Sequence, residues 1–180
     1  MSRYILITGC SSGIGYHAAK RLAQEGFCVI ASARKQEDVE RLRGEGLTAL
    51  RLDLASHDSI LAAVAQVTTL CGGRLYGLFN NGAYGQPGAL EDLPTEALRA
   101  QFESNFFGWH ELTRQILPLM LPHGEGRIIQ NSSVLGLVAM KFRGAYNASK
   151  FAIEGYTDTL RLELRGSGVQ VSLIEPGPIE

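Results

Sequence analysis

Residues 4–15 read Tyr-Ile-Leu-Ile-Thr-Gly-Cys-Ser-Ser-Gly-Ile-Gly, and this stretch decides the fold. Tyr4 to Thr8 is a short β-rich run that Gly9 stops. From Gly13 to Gln24, Ile14, Ala18 and Leu22 recur at four-residue spacing, which predicts a helix with an apolar inner face. Strand, glycine turn and helix in that order bring backbone N–H groups and the positive end of a helix dipole to one point, where a pyrophosphate is received. Gly9 permits the tight turn, Gly13 the approach of phosphates and Gly15 close packing of helix on strand. Ser11, Ser12 and Ile14 complete the loop. The spacing is G-x-x-x-G-x-G rather than G-x-G-x-x-G, and alone it also suits a simple tight turn.

Two other motifs share these residues and both fail. Gly9 to Gly13 matches the G-x-S-x-G nucleophile elbow, which needs a later acid and then a histidine. No histidine follows His123. A phosphate loop of the Walker type needs Lys and then Ser or Thr after its last glycine, and Gly15 is followed by Tyr16.

Outward from this unit the same alternation continues. Strands are predicted over 27–33, 49–52, 75–79, 127–131 and 169–174. Helices are predicted over 36–43, 56–70, 95–121 and 146–165, with Pro118 near the end of the third. Short apolar strands alternating with helices predict a doubly wound parallel sheet, Rossmann-type, in three layers. Neither a linker nor a repeat divides the chain, so residues 1–180 read as one dinucleotide-binding domain. Its 180 residues, 45% of them apolar, suffice for a sizeable core.

Charge and cysteine usage narrow the class further. A formal net charge of −1 without a basic run argues against nucleic-acid binding. The 3 cysteines are widely spaced with no C-x-x-C, so a reducing cytoplasm is expected rather than a disulfide framework. Beside a helix N-terminus, Cys10 would be favoured as a thiolate, yet a small filler of a tight loop is the simpler role. The N-terminal apolar run is too short for a signal peptide or membrane span. Histidines lack metal spacing, and no metal site is expected.

The end of the second strand speaks to the cofactor. Ala33-Arg34-Lys35 follows it, with no carboxylate before Glu37. An acid there would hold the adenosine ribose hydroxyls, whereas an arginine pairs with a 2′-phosphate, so NADP(H) is expected over NAD(H). Asp53, after the third strand, suits either the adenine amino group or a turn cap.

Farther on, Tyr146 and Lys150 lie four apart in YNASK, and Ser133 thirteen residues before the tyrosine. Residues i and i+4 share a helix face, so phenol and ammonium can reach one site. An unaided tyrosine titrates near ~10, and a fixed cation nearby favours the phenolate, which makes the pair a plausible acid–base device. Ordinary helices carry the same spacing, and Lys150 could equally snorkel at the surface.

Taken together and in order, these motifs resemble the short-chain dehydrogenase/reductase family over essentially the whole chain. TGCSSGIG resembles its cofactor loop, Asp53-Leu54 its adenine contact, and NNGA (Asn80 to Ala83) its N-N-A-G with the last two residues exchanged. Asn105 in SNFFG, Ser133 in NSSVLG, and Tyr146 with Lys150 resemble its catalytic tetrad. Pro176-Gly177 resembles the turn beside the nicotinamide. NFFGWHELT and KFAIEGYTDTLRLEL are similar to the branch holding 17β-hydroxysteroid and retinol dehydrogenases and bacterial aldehyde reductases.

The resemblance implies hydride transfer between NADP(H) and a carbonyl or alcohol. Ser133 would polarise the substrate oxygen, Tyr146 would exchange the proton, and Lys150 would hold the ribose and assist the tyrosine. Asn105 would interrupt helix bonding and hold a relay water. The cofactor contacts implied are Gly9, Ser11, Ser12, Gly13, Ile14, Gly15, Arg34, Asp53, Leu54, Asn81, Gly82, Tyr146, Lys150, Pro176 and Gly177. It also implies a homodimer or homotetramer through the helix over 95–121 and the one after Tyr146. Family members continue past Pro-Gly with a substrate-covering segment, so Glu180 is expected to end an incomplete record of a longer polypeptide. Tyr84, Leu137, Val138, Met140 and Phe142 point to an apolar carbonyl substrate. The alternative is a cofactor-binding regulator on the same scaffold without turnover.

Overall fold

The computed structural model describes residues 2–178. Among them the order is β1 (Tyr4–Ile7), α1 (Gly13–Gln24), β2 (Cys28–Ala33), α2 (Gln36–Gly44), β3 (Thr48–Arg51), α3 (His57–Cys71) and β4 (Gly77–Asn80). Then come α4 (Thr95–Phe102), α5 (Gly108–Ile116), β5 (Gly126–Asn131), α6 (Gly144–Glu163) and β6 (Val169–Ile174). The strands form one sheet ordered β3-β2-β1-β4-β5-β6, and every pairing is parallel. The order reverses between β1 and β4, and in open parallel sheets a ligand crevice lies at such a point, beyond the strand C-termini.

Alternation of side chains along β1 builds two cores. Leu6 joins Ile30, Leu50 and Ile128 with the inner faces of α3, α5 and α6, through Ile60, Leu112 and Leu160. Ile5 and Ile7 point to the opposite side, where Ala19 of α1 and Val39 and Leu42 of α2 close the layer. Helices thus cover both faces. β6 forms one edge, with Val169 and Val171 buried and Gln170 and Ser172 exposed.

The helix expected over 95–121 is broken. A π-helical turn over Glu103–Phe107 separates α4 from α5, and 3₁₀ turns over Leu117–Leu119 and Leu121–His123 follow. Each proline occupies an early 3₁₀ position, where its missing N–H costs no ladder bond. The π turn carries Asn105 and is followed by Gly108, whose missing side chain is required: a Cβ there would collide with the Leu54 carbonyl. The last helix begins two residues before Tyr146 and ends at Glu163 rather than Arg165. Among the described residues no helix is long and apolar enough to cross a membrane.

Candidate active site

Two connected clefts lie over the β1/β4 crossover. One, of about 360 Å³, is walled by Gly9, Ser11, Ser12, Ile14, Arg34 and Asp53, among others. The second, of about 550 Å³, is walled by Ser133, Tyr146, Lys150, Pro176 and Gly177 among others, and Asn81, Ala83, Tyr84 and Ile14 belong to both. The fold therefore assembles the two ends of the expected site, which lie far apart in sequence, into one continuous groove.

The glycine loop is held from behind. Thr8 Oγ1 accepts from the N–H groups of Asn81 and Gly82, both at 2.8 Å. Asn81 Nδ2 donates to the carbonyls of Thr8 (2.9 Å) and Gly9 (3.2 Å), and its Oδ1 accepts from Asn131 Nδ2 at 2.7 Å. A Cβ on Gly9 would strike the Gly82 Cα, and one on Gly15 would strike Asn81 and the Gly9 carbonyl. Gly13 sits at φ 58° with open space on its Cβ side. Ser12 at the N-cap of α1 makes no side-chain cap bond. An uncapped helix start facing an open groove suits an anionic pyrophosphate.

Around this loop the remaining cofactor-end residues take their places. Arg34 is exposed and walls the first cleft. Asp53 also walls it, and its Oδ1 accepts from Ala55 N–H at 3.0 Å, so the turn-capping reading is realised. Leu54 packs its methyl on Gly82. Cys10 is fully buried, its Sγ 3.2 Å from the Ile7 carbonyl, and burial pushes the thiol up to about 12. It fills space and is no nucleophile at neutral pH.

At the other end, Lys150 is 1% exposed, which excludes a surface role. Its Nζ donates to the Asn131 carbonyl at 2.6 Å, 4.6 Å from the Trp109 ring centre and 5.4 Å from that of Tyr146. Burial drives the Lys150 ammonium down to about 7, and the carboxylate of Glu154 opposes the shift. Ser133 lies just past β5, and its Oγ accepts from Leu135 N–H at 3.1 Å at the start of a 3₁₀ turn over Val134–Gly136. The Val134 N–H donates to the Pro176 carbonyl at 3.0 Å, tying the Pro-Gly turn to this corner.

Asn105 is placed differently from the other three expected catalytic residues, since it walls neither cleft. Its Oδ1 accepts from Tyr84 N–H (3.1 Å), and its Nδ2 donates to the Tyr84 carbonyl (2.8 Å). The side chain therefore fixes the loop after β4 across the π turn. Gln101 repeats the device on Tyr84 O and Gln86 N, both at 2.7 Å. Of this set, Gln101 went unmarked in the sequence reading. So did the bonds of Asn80 in NNGA, whose Nδ2 reaches Thr113 and Gln130, and of Trp109 in NFFGWHELT, whose indole donates to the Gly82 carbonyl at 2.8 Å. Buried amides in consecutive motifs were the available signal, since such groups need partners.

Of the exposed apolar residues Leu137, Val138, Met140 and Phe142, Met140 walls the second cleft; Phe142 and Met140 together wall a separate cavity, and Phe142 holds φ 61°. A bulky residue in the left-handed region costs roughly 1–2 kcal/mol. Gly88 N–H donates to the Phe142 carbonyl at 3.0 Å, joining this segment to the loop after β4.

Residues 3–180 match the family model for short chain dehydrogenases. The chain belongs to that family. Its sequence is 51% identical over 179 residues to the uncharacterized oxidoreductase YbbO of Escherichia coli K12, covering 99% of this chain and 66% of that protein. Human retinol dehydrogenase 8 is 39% identical over 187 residues, covering 98% of this chain and 59% of that one. The crystal structure of an F189W actinorhodin polyketide ketoreductase with NADPH superposes with a TM-score of 0.93 at 35% identity, covering 99% of this chain and 71% of that chain. The chain thus spans about two thirds or less of the length of these two protein relatives.

Proposed function

We propose that this short-chain dehydrogenase transfers a hydride between NADP(H) and a carbonyl or alcohol, with Tyr146 exchanging the proton. The observation that carries this reading is the single groove that joins the uncapped N-terminus of α1 to Tyr146, Ser133 and the buried Lys150. The nicotinamide supplies the hydride chemistry when bound.

The residues present suit such a cofactor. Gly9, Gly13 and Gly15, with Ser11, Ser12 and Ile14, offer the pyrophosphate cradle; Asp53 and Leu54 flank the adenine end; Asn81, Gly82, Pro176 and Gly177 line the middle and far walls. Tyr146 gives its proton to the substrate oxygen in reduction, or takes one in oxidation. Ser133 holds that oxygen and stabilises its developing charge. Lys150 offers a cation beside the phenol and a donor to the ribose. Asn105 acts through Tyr84, whose loop it pins beside the cleft.

For the substrate, we propose an aldehyde or ketone, retinoid- or steroid-like, whose carbonyl end enters the polar corner; Val134, Leu135 and Met140 on the wall of the second cleft support an apolar body. The assembly we propose is a homodimer or homotetramer, supported by Phe107 and Phe151, large apolar side chains exposed on the π turn and α6. A cytoplasmic setting is proposed on the strength of three free cysteines.

Loss of NADPH absorbance across a panel of aldehydes and ketones tests the reading. Turnover of at least one member is expected. Cofactor binding with no turnover of any member would instead identify a regulator.

Arg34→Glu tests the cofactor choice. An arginine–phosphate bond contributes about 1.5–3 kcal/mol, so NADPH affinity should fall roughly 10- to 100-fold while NADH affinity holds or rises. Titration calorimetry with both cofactors reads the difference. An unchanged NADPH affinity would remove Arg34 from the site.

A further inference from the structure

Glu154 lies one helical turn beyond Lys150 on α6, so the two side chains stack along one face. The Oε1 of Glu154 is buried and has no hydrogen-bond partner among the described residues, and the same holds for Ser132 Oγ. Both atoms crowd Gly136: a Cβ on that glycine would meet Ser132 Oγ at 2.8 Å and Glu154 Oε1 at 3.0 Å. Burying a carboxylate oxygen without a donor costs several kcal/mol unless a nearby charge compensates it. Lys150 carries that charge, and it too is buried.

Among the described residues, the elements packed against α6 offer no competitor. Neither the 3₁₀ turn over Val134–Gly136 nor β6 holds a charged residue. Arg127 on β5 turns back to the Gly126 carbonyl at the start of the strand. On α4, Glu96 and Arg99 pair with each other at the surface. Glu103 lies on the π turn and Glu175 is exposed past β6. On α6 itself, Asp158 is paired with Arg161 at 2.6 Å, and Glu163, at the far end of the helix, acts on Tyr156. Arg143 and Tyr146 lie on the N-terminal side of Lys150, and Glu154 is the carboxylate whose field acts on the ammonium.

We propose that Glu154 is a positioning residue for Lys150: its buried carboxylate, one helical turn away, keeps the buried ammonium charged beside Tyr146. This rests on the reading of Tyr146 and Lys150 as the proton-handling pair.

The test compares Glu154→Gln with wild type in two ways. Titration of ¹³Cε-labelled lysine by NMR, with Lys150→Met used to assign the signal, should show Lys150 losing its proton about one pH unit lower in the variant. In kcat/KM for carbonyl reduction, the alkaline limb should move to lower pH by a similar amount, because the proton donor loses its cation earlier. Glu154→Asp should restore part of both shifts, and it serves in the same measurements if the glutamine variant does not fold. An unmoved Lys150 titration, or a lowered plateau with an unmoved limb, would overturn the proposal. The NMR arm needs no turnover, so absence of the proposed activity and failure of this inference are distinguishable.

Discussion

Tyr146→Phe is expected to lower turnover by about 10²- to 10⁴-fold, the range that a positioned proton donor contributes, while NADPH affinity changes by roughly twofold or less. The substitution removes one oxygen from a half-buried side chain at the wall of the second cleft. The ring keeps its packing against Gly85, where a Cβ would lie 3.4 Å from Tyr146 Cδ2, and Lys150 keeps its bond to Asn131. Cofactor contacts from the glycine loop and Arg34 are untouched. Effects on kcat and kcat/KM should therefore be equal, the signature of an interaction made only in the transition state. Stopped-flow turnover beside fluorescence titration of NADPH separates the two. Retained turnover in the phenylalanine variant would remove Tyr146 from the chemistry and with it the proposed mechanism.

Much of this architecture is legible in the sequence because it is local. Each strand is short, apolar and closed by glycine or a polar turn, so β1 to β6 fall within about two residues of the periodic runs. The glycine loop is legible for the same reason: Gly9, Gly13 and Gly15 follow a strand and open a helix. The break at Glu103–Phe107 is masked in the local pattern, because apolar residues continue through it at Phe102, Phe106 and Phe107; it is expected only through the family resemblance, which has Asn105 interrupt helix bonding. The long-range bond of Asn105 to Tyr84 that accompanies it is beyond any local pattern. The support behind the site follows the same rule. Asn131 links Asn81 to Lys150 across β4 and β5, a connection that exists once the sheet has brought residues 50 apart together. Glu154 reads in the sequence as one more charge on a helix, and its meaning comes from burial.

Lys150→Met should abolish turnover yet stabilise the cofactor-free protein at and below neutral pH. In the folded chain burial depresses the ammonium to about 7, well below the ordinary lysine value. Below that pH both folded and unfolded states carry the charge, and the full burial penalty is present. Between pH 7 and the unfolded value the unfolded chain binds a proton that the folded chain has released, so wild-type stability rises with pH. A shift of this size is an upper bound of about 5 kcal/mol. The Asn131 carbonyl left without a donor takes back roughly 1–3 kcal/mol. Methionine is thus expected to be about 2 kcal/mol more stable near pH 6, with the advantage shrinking by about 1.4 kcal/mol per unit between pH 7 and 9. Cys10, whose thiol is also displaced by burial, is common to both proteins and cancels in the difference. Urea unfolding of the two apo proteins at pH 6, 7, 8 and 9 gives the slope. A methionine variant less stable at every pH, by a constant amount, would show that Lys150 carries no buried charge to relieve. The predicted slope instead marks a residue that weakens the fold where it stands, which is what a site that needs a cation away from water requires.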